Sequence, residues 1–543
     1  MSVAQAARGR LAVAGGLLAA GILHALSFAP GPLPGWLLPL LHLVTLAVLV
    51  RASLTAATPR RAAWGGWLFG LGMFCTGVYW LYISMHTYGF MPAPLAAGGV
   101  LALSVYLALY PALAAGLTRW LLAPGAAAST PRIALTWAAA WAAGEWLRAT
   151  VFTGFPWLNA GYAHVDSPLA GWASIVGVHG VAFAAALSAA ALALLWPALG
   201  AAGRDGGPRV IGLRHGAAVL ATGIALGGWG LAQIQWWRPA GEPLRTLLVQ
   251  GAVDQNDKFD PALLQAGLQR HLALAARPAQ DAANPPALIV LPETIMPVFQ
   301  DRLAPAVWQA WIDLAGQRDA AILMGAPIHA RAANTITNSV IRIDGDTALA
   351  DLQAGQPGHR YDKRHLVPFG EFIPPGFRWF VEAMSIPLGD FNRGPARQTP
   401  FSVDGQHVAL NICYEDVFGE ELLPALFPGD DGSPGATILV NVSNLGWFGD
   451  SWALRQHLQI ARLRTLETAR PMLRATNTGA TAVIGPDGVV QAELRAMHAG
   501  TLDVSVQGTS GLTPYARVGN VPAVGGIVLI LAFAAWRRRA RHG

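Results

Sequence analysis

The run 407-HVALNICYEDVFG-419 is apolar and strand-like, ends in a cysteine, and passes at once into Tyr414, Glu415 and Asp416. A structural thiol packs as a small hydrophobe and needs no acidic neighbours. A nucleophilic thiol reacts as its thiolate and needs charged partners to form it. The chain has one other cysteine, Cys75, in an apolar stretch where it reads as packing, so a disulfide framework is excluded. The partners of Cys413 must therefore lie on other parts of the chain.

Working outward, short β-like runs alternate with helical patterns from Leu244 onward. The runs are 244-LRTLLVQG-251, 287-ALIVLPE-293, 321-AILMGAP-327, 338-NSVIRI-343, 407-HVALNIC-413 and 436-ATILVNVS-443; segments 261–277 and 452–469 carry helical periodicity. Strands alternating with helices predict a layered α/β domain, with active residues where strands end. Three such positions carry candidates. Glu293 closes the second run, Lys363 sits in 361-YDKRHLVPFGEF-372, and Cys413 closes the fifth. Glu, Lys and Cys together can perform acyl transfer: a carboxylate takes the thiol proton, and a lysine cation stabilises both the thiolate and the oxyanion that follows. Lys363 gains weight from usage, because only Lys258 and Lys363 are lysine among 37 basic residues. A guanidinium does not replace a compact ammonium in that role.

The rest of the chain has a different composition. Over 543 residues, 53% are hydrophobic and 13% charged, and the mean hydropathy is +0.39. Apolar blocks long enough to span a bilayer as helices fall near 11–28, 34–51, 63–85, 94–118, 133–150, 168–197, 211–234 and 520–536. A cleaved signal peptide at the N-terminus is disfavoured by the six further blocks that follow the first before residue 240. Arginines fall in alternate loops: Arg8 and Arg10, then Arg51, Arg60 and Arg61, then Arg119 and Arg132, then Arg204, Arg209 and Arg214. The loops 29–35, 86–94 and 151–167 carry no Lys or Arg. Basic short loops stay cytoplasmic, so the expectation is an inner N-terminus, residues 240–510 outside, and an inner tail 537-RRRARHG-543. The pI of about 9.6 then reflects membrane orientation, which removes the motive for a nucleic-acid reading.

At these residues the chain resembles the nitrilase superfamily and, within it, the apolipoprotein N-acyltransferase family. The motifs 291-LPET-294, 361-YDKRHLVPFGEFIP-374, 411-NICYED-416, 443-SNLGWFGDS-451, 455–479 and 514-PYARVGN-520 look like that family's in its order, as does the membrane loop 152-FTGFPWLNAGY-162. The resemblance implies an α/β fold in which about eight transmembrane helices carry an αββα sandwich. The expected domains are 1–238 with seven helices, 239–512 as the extracytoplasmic catalytic domain, and 513–543 as a last helix with a basic tail. It implies a bacterial inner-membrane enzyme, with its catalytic domain in the periplasm, that moves a fatty acyl chain from a phospholipid to the α-amino group of a diacylglyceryl-modified N-terminal cysteine. By residue match Cys413 is the nucleophile, Glu293 the base, Lys363 the oxyanion-stabilising cation, and Glu371, Tyr414 and Glu415 support them. The expected partners are the phospholipid donor, the apolipoprotein acceptor and the bilayer, with no cofactor, no metal, no nucleic acid and a monomeric chain. Two departures stand out: Phe259 follows Lys258 where a Trp is common, and Leu445 stands where an acidic residue is common.

Several bland readings compete. Asp416 reads as structural. His359 and His365 flank Lys363, but no third ligand stands at a recognised metal spacing. The triplet 441-NVS-443 matches a glycosylation motif but falls on a core strand. Glu145 and Arg148, three apart on one span, read as an internal ion pair or as a contact for a lipid headgroup. An anchored amidohydrolase would need one helix rather than eight, and a transporter would show polar, interrupted helices at the midplane.

Overall fold

The computed structural model describes residues 3–122, 129–195, 208–376, 378 and 390–540. Arg204 and the tail residues 541–543 lie outside the described residues, as do the side chains of Arg8 and Arg209. The chain divides into two compact units: 1–82 with 92–235 and 517–543, and 83–91 with 236–516.

The first unit is helical. Its helices are α1 Val3–Ala25, α2 Leu38–Thr55, α3 Pro59–Gly77, the short α4 Trp80–Ile83, α5 Ala93–Leu107, α6 Leu109–Leu121, α7 Thr130–Thr150, α8 Ala173–Leu195, α9 Pro208–Ala232 and the C-terminal helix Val521–Arg539. Among the described residues five stretches are long and apolar enough to cross a membrane, or six if the pair Pro59–Gly77 and Trp80–Tyr88, bent by 50°, is one span. The apolar part of α1, Gly9–Ala25, is shorter, and α7, which carries Arg132, Glu145 and Arg148, is not among them. Charged groups lower the apolar character that transfer into lipid requires, so each of the eight expected blocks carries a helix among the described residues but not all meet that measure.

Small residues set the packing. A Cβ on Gly21 of α1 would come within 1.9 Å of the Phe69 carbonyl oxygen, and one on Gly72 of α3 within 2.3 Å of the Leu18 oxygen. The two backbones approach as closely as they do because neither position carries a side chain. Glu145 and Arg148 form a buried ion pair on α7. Arg148 also donates to the Phe155 oxygen at 2.6 Å and the Trp157 oxygen at 2.5 Å. The pair is thus internal and ties α7 to the loop that follows it.

The second unit is built on two six-stranded sheets. In chain order the strands are β1 Arg238–Pro239, β2 Leu244–Gln250, β3 Leu288–Val290, β4 Ala321–Ala330, β5 Thr335–Ile343, β6 Arg360–Asp362, β7 Phe401–Val403, β8 Gln406–Ile412, β9 Ile438–Ser443, β10 Met472–Thr476, β11 Ala482–Ile484, β12 Val490–Glu493, β13 Gly500–Val506 and β14 Thr509–Ser510. One sheet runs β13-β2-β3-β4-β5-β6 and the other β12-β11-β10-β9-β8-β7, while β1 pairs with β14. The central strands β2-β3-β4 and β8-β9-β10 are parallel. Parallel strands covered on both faces read as continuous apolar runs, as β8 and β9 do.

Alternation along each strand divides its residues between two cores. Leu248, Val290 and Leu323 of the first sheet meet Val408, Leu410, Ile412, Val440 and Val442 of the second. The outer face of the first sheet packs on helices α11 Leu264–Ala275 and α12 Pro305–Arg318 through Leu268, Trp308, Trp311 and Ile312. The outer face of the second packs on helix Trp452–Thr468 through Leu458 and Ala461. These are four layers, αββα. With each fully buried aliphatic side chain worth roughly 1.5–3 kcal/mol, these cores supply most of what holds the sheets in place.

Candidate active site

Glu293 lies just beyond β3, Lys363 directly after β6, and Cys413 directly after β8. The Glu293 loop is pressed against β4: a Cβ on Gly325 would stand 2.6 Å from the Glu293 Cα, so that strand position tolerates only glycine. Cys413 adopts φ +52°, a left-handed conformation uncommon for a residue with a side chain. It opens a single 3-10 turn, Cys413–Val417. Strain of this kind persists only where the surroundings fix it. Here Asn441 donates to the Cys413 carbonyl oxygen at 3.2 Å.

The charged groups converge. Lys363 Nζ donates to Glu371 Oε1 at 2.8 Å and to Glu293 Oε1 at 3.2 Å. Asn338 Nδ2, from β5, donates to the same two oxygens at 2.7 and 2.8 Å. The second Glu293 oxygen accepts the Asn444 N–H at 2.9 Å, and the second Glu371 oxygen accepts the Val367 N–H at 2.8 Å. All four oxygens of the two carboxylates are therefore held. Lys363 is 1% exposed.

Glu415 links the nucleophile turn to the lysine loop. Its carboxyl accepts N–H groups from Ile412 at 2.6 Å, Arg364 at 2.6 Å and His365 at 3.1 Å, and the Tyr361 hydroxyl at 2.9 Å. Tyr414 packs edge-on against Phe418 and His365, and His365 stacks on Phe418. Behind the turn, Arg474 donates to Asp416 Oδ2 at 2.6 Å and to His457 Nδ1 at 2.7 Å, and His457 Nε2 lies 2.8 Å from Asp416 Oδ1. Accepting at Nδ1 leaves the His457 proton on Nε2, facing the carboxylate.

These contacts set the protonation states. Burial works against the Glu293 carboxylate, but Lys363, Asn338 and the Asn444 N–H hold its pKa below the ordinary glutamate value. Burial also works against the Lys363 ammonium, yet Glu293 and Glu371 hold it well above the usual lysine value. Burial, reinforced by Glu293 and Glu371, pushes the Cys413 thiol well above its usual value, while Lys363 pulls the other way. The resting centre is thus a neutral thiol beside a charged carboxylate and a charged ammonium. Such a site needs a base to take the thiol proton before the sulfur can react.

All six residues expected from the sequence, Glu293, Lys363, Glu371, Cys413, Tyr414 and Glu415, fall in this one region. Four that support it were not anticipated: Lys258, Asn338, Asn441 and Asn444. The asparagines left one trace, since each is a polar residue within or directly after an apolar strand. Among the described residues no group of three His, Cys, Asp or Glu side chains could hold a metal ion, and His365 is engaged with Glu421 and Phe418. Phe259, half-exposed, packs on Trp447 at 5.7 Å between ring centroids, and Trp447 meets Tyr88 at 6.4 Å. Leu445 is fully buried, which leaves no polar role at that position.

The sandwich and its Glu-Lys-Cys cluster define a carbon–nitrogen hydrolase fold: residues 248–515 match the family model described as carbon-nitrogen hydrolase. Residues 20–191 match the apolipoprotein N-acyltransferase N-terminal domain. An apolipoprotein N-acyltransferase from Bordetella bronchiseptica is 57% identical over 534 residues, covering 96% of each chain. One from Ralstonia nicotianae is 49% identical, covering 96% of this chain and 92% of its own. The chain belongs to the apolipoprotein N-acyltransferase family. Among solved structures, an amidase from Nesterenkonia sp. AN1 aligns at 18% identity over 52% of this chain and 96% of its own, with a TM-score of 0.36.

Proposed function

We propose that this chain transfers a fatty acyl chain from a membrane phospholipid to the α-amino group of the diacylglyceryl-modified N-terminal cysteine of apolipoproteins, through a thioester on Cys413. The observation that carries the reading is the Glu293–Lys363–Glu371 cluster gathered around the turn that opens at Cys413, in a chain whose other unit is made of apolar helices.

Glu293 removes the thiol proton as Sγ attacks the phospholipid ester carbonyl. Lys363 and the Tyr414 N–H stabilise the oxyanion. Collapse of the tetrahedral intermediate expels the lysophospholipid alkoxide, which takes the proton from Glu293, and the thioester remains. The acceptor's α-amine, with an ordinary pKa of about 8, then attacks in its neutral form. Glu293 accepts the amine proton and passes it to the departing thiolate. Two successive steps let one centre serve two lipid substrates. Phospholipid alone should leave an acyl adduct on Cys413 detectable by mass spectrometry, and a diacylglyceryl-cysteine peptide should discharge it into an amide. A Cys413→Ala chain should form neither product. An unmodified Cys413 with phospholipid alone, together with turnover only when both substrates are bound, would refute the two-step cycle.

We further place the chain in the bacterial inner membrane with residues 240–510 in the periplasm, on the alternation of arginine-bearing loops, and take it to act as a monomer. Reporter fusions after Ala202 and after Gly405 should give opposite signals; the same signal from both would reject that topology.

A further inference from the structure

Lys258 is the second of the chain's two lysines, and the structure buries it in the same centre as the first. It ends α10 Gln255–Lys258, a single turn pinned on both sides. Asn477 exchanges hydrogen bonds with the Val253 main chain at 2.8 and 3.1 Å, and Asn444 donates to Gln255 Oε1 at 3.0 Å. Asn444 is also the residue whose N–H is bound by Glu293. From this turn Lys258 Nζ reaches the main-chain oxygen of Glu293 at 3.2 Å, and the side chain is 5% exposed. Among the described residues no carboxylate forms an ion pair with it.

A buried ammonium lacking a carboxylate partner is costly. Every other cation in the chain except Lys363 is arginine, and an arginine cannot lose its charge in a protein. A lysine here keeps a compact group that can. We propose that Lys258 is a positioning residue of the catalytic centre: it fixes the Glu293 main chain beyond β3 and, when charged, sets a second positive charge beside the Cys413 thiol that favours the thiolate. The proposal rests on Cys413 being the nucleophile.

The surroundings support it. Burial lowers the Lys258 amine to about 7, with Glu293 and Cys413 acting in the opposite sense. The charged and titratable groups around it are Glu293, Cys413, His271 from α11, and Asp254 and Asp257 on its own segment. The His271 imidazole is itself lowered to about 4 by burial and so is neutral near pH 7. Lys258 therefore carries its charge below neutral pH and loses it above. A cation lowers the pKa of a neighbouring thiol and its removal raises it.

The test uses the full chain in detergent and follows iodoacetamide alkylation of Cys413 by peptide mass spectrometry from about pH 6 to 10. Lys258→Met removes hydrogen bond and charge, Lys258→Gln removes charge alone, and Lys258→Arg restores charge; melting curves accompany each. At about pH 6, where Lys258 is charged, alkylation should be about tenfold slower in the Met and Gln variants than in the parent and return toward the parent in the Arg variant, while above about pH 8, where Lys258 is neutral, parent, Met and Gln should converge. Alkylation at about pH 6 that is as fast in Met and Gln as in the parent would overturn the proposal. So would an Arg variant that folds yet behaves like Met, or variants that all fail to fold, which would make Lys258 a packing residue. Absence of an acyl adduct on the parent Cys413 would instead refute the thioester reading, and the alkylation profile separates the two failures.

Discussion

Glu415 and Asp416 are consecutive and both buried, yet their carboxyl groups are driven in opposite directions. Asp416 faces an arginine and a histidine. Burial works against its charge, but His457 and Arg474 hold it below the ordinary aspartate value. Glu415 accepts from three backbone N–H groups and a tyrosine hydroxyl, with no cation in contact, and burial raises it to about 7 although the backbone donors and the nearby Lys363 charge oppose the rise. Two regions of the turn divide in the same way. On the Asp416 side one carboxylate is held by one guanidinium and one imidazole, each of its oxygens engaged, so nothing is left to move. On the Lys363 side two carboxylates share one ammonium, so a carboxylate remains that can take a proton. The first cluster can hold geometry; the second can do chemistry.

The sharpest way to break this contrast is to disturb the two arginine and lysine positions in parallel. Lys363→Arg keeps a charge but places a planar fork where two carboxylates converge on a single nitrogen. We expect acyl transfer to fall by about 10²–10³-fold or more in a chain that still folds. Arg474→Met leaves Asp416 as an unpaired buried charge and should lower stability by about 3–5 kcal/mol, with the surviving folded fraction still able to form the acyl adduct. Melting curves and adduct yield per folded molecule distinguish the two. If Lys363→Arg loses stability without losing rate, or Arg474→Met loses rate without stability, the division into a reacting side and a holding side is wrong.

Much of the reacting side was legible in the sequence. Glu293, Lys363 and Cys413 each stand at a strand end, and five of the six expected β-runs begin within two residues of the observed strands. The sixth, 338–343, is the second part of β5 Thr335–Ile343, whose polar start hid three residues. The holding side was legible only at Asp416, which reads as structural, and not at its partners. His457, Arg474 and Asp416 are separated by up to 58 positions, and a polar residue on an apolar strand or helix does not announce its partner. The short strands β6, β7, β10, β11 and β12, of three to five residues, carry too few residues to show alternation. Helix α12 was also missed. The expected span at α7 falls short of the hydropathy measure for a different reason: α7 keeps its charged residues by pairing Glu145 with Arg148 inside the unit, a compensation that linear hydropathy does not register.

The smallest effect is the most direct test of the opposition between neighbouring carboxyls. A carboxyl whose folded pKa is raised binds its proton more tightly when folded. The stabilisation is fully present below the unfolded value of about 4.5 and is lost as pH rises through about 7. Asp416 has the opposite sign: its contribution is present above the unfolded value of 3.8 and is lost only as pH falls through its lower folded value. Between about pH 5.5 and 8 the proton balance at this turn is therefore set by Glu415 and not by Asp416. Glu415→Gln keeps an oxygen to accept hydrogen bonds but cannot ionise. Its stability relative to the parent should improve as pH rises across that window, by on the order of 2 kcal/mol, while Asp416→Asn should show a penalty that does not change with pH. Melting both variants at the two pH values decides it. A flat difference for Glu415→Gln would mean that its four donors already hold Glu415 as the anion at pH 5.5, and the two neighbouring carboxyls would then differ only in which charges surround them, not in which way they titrate.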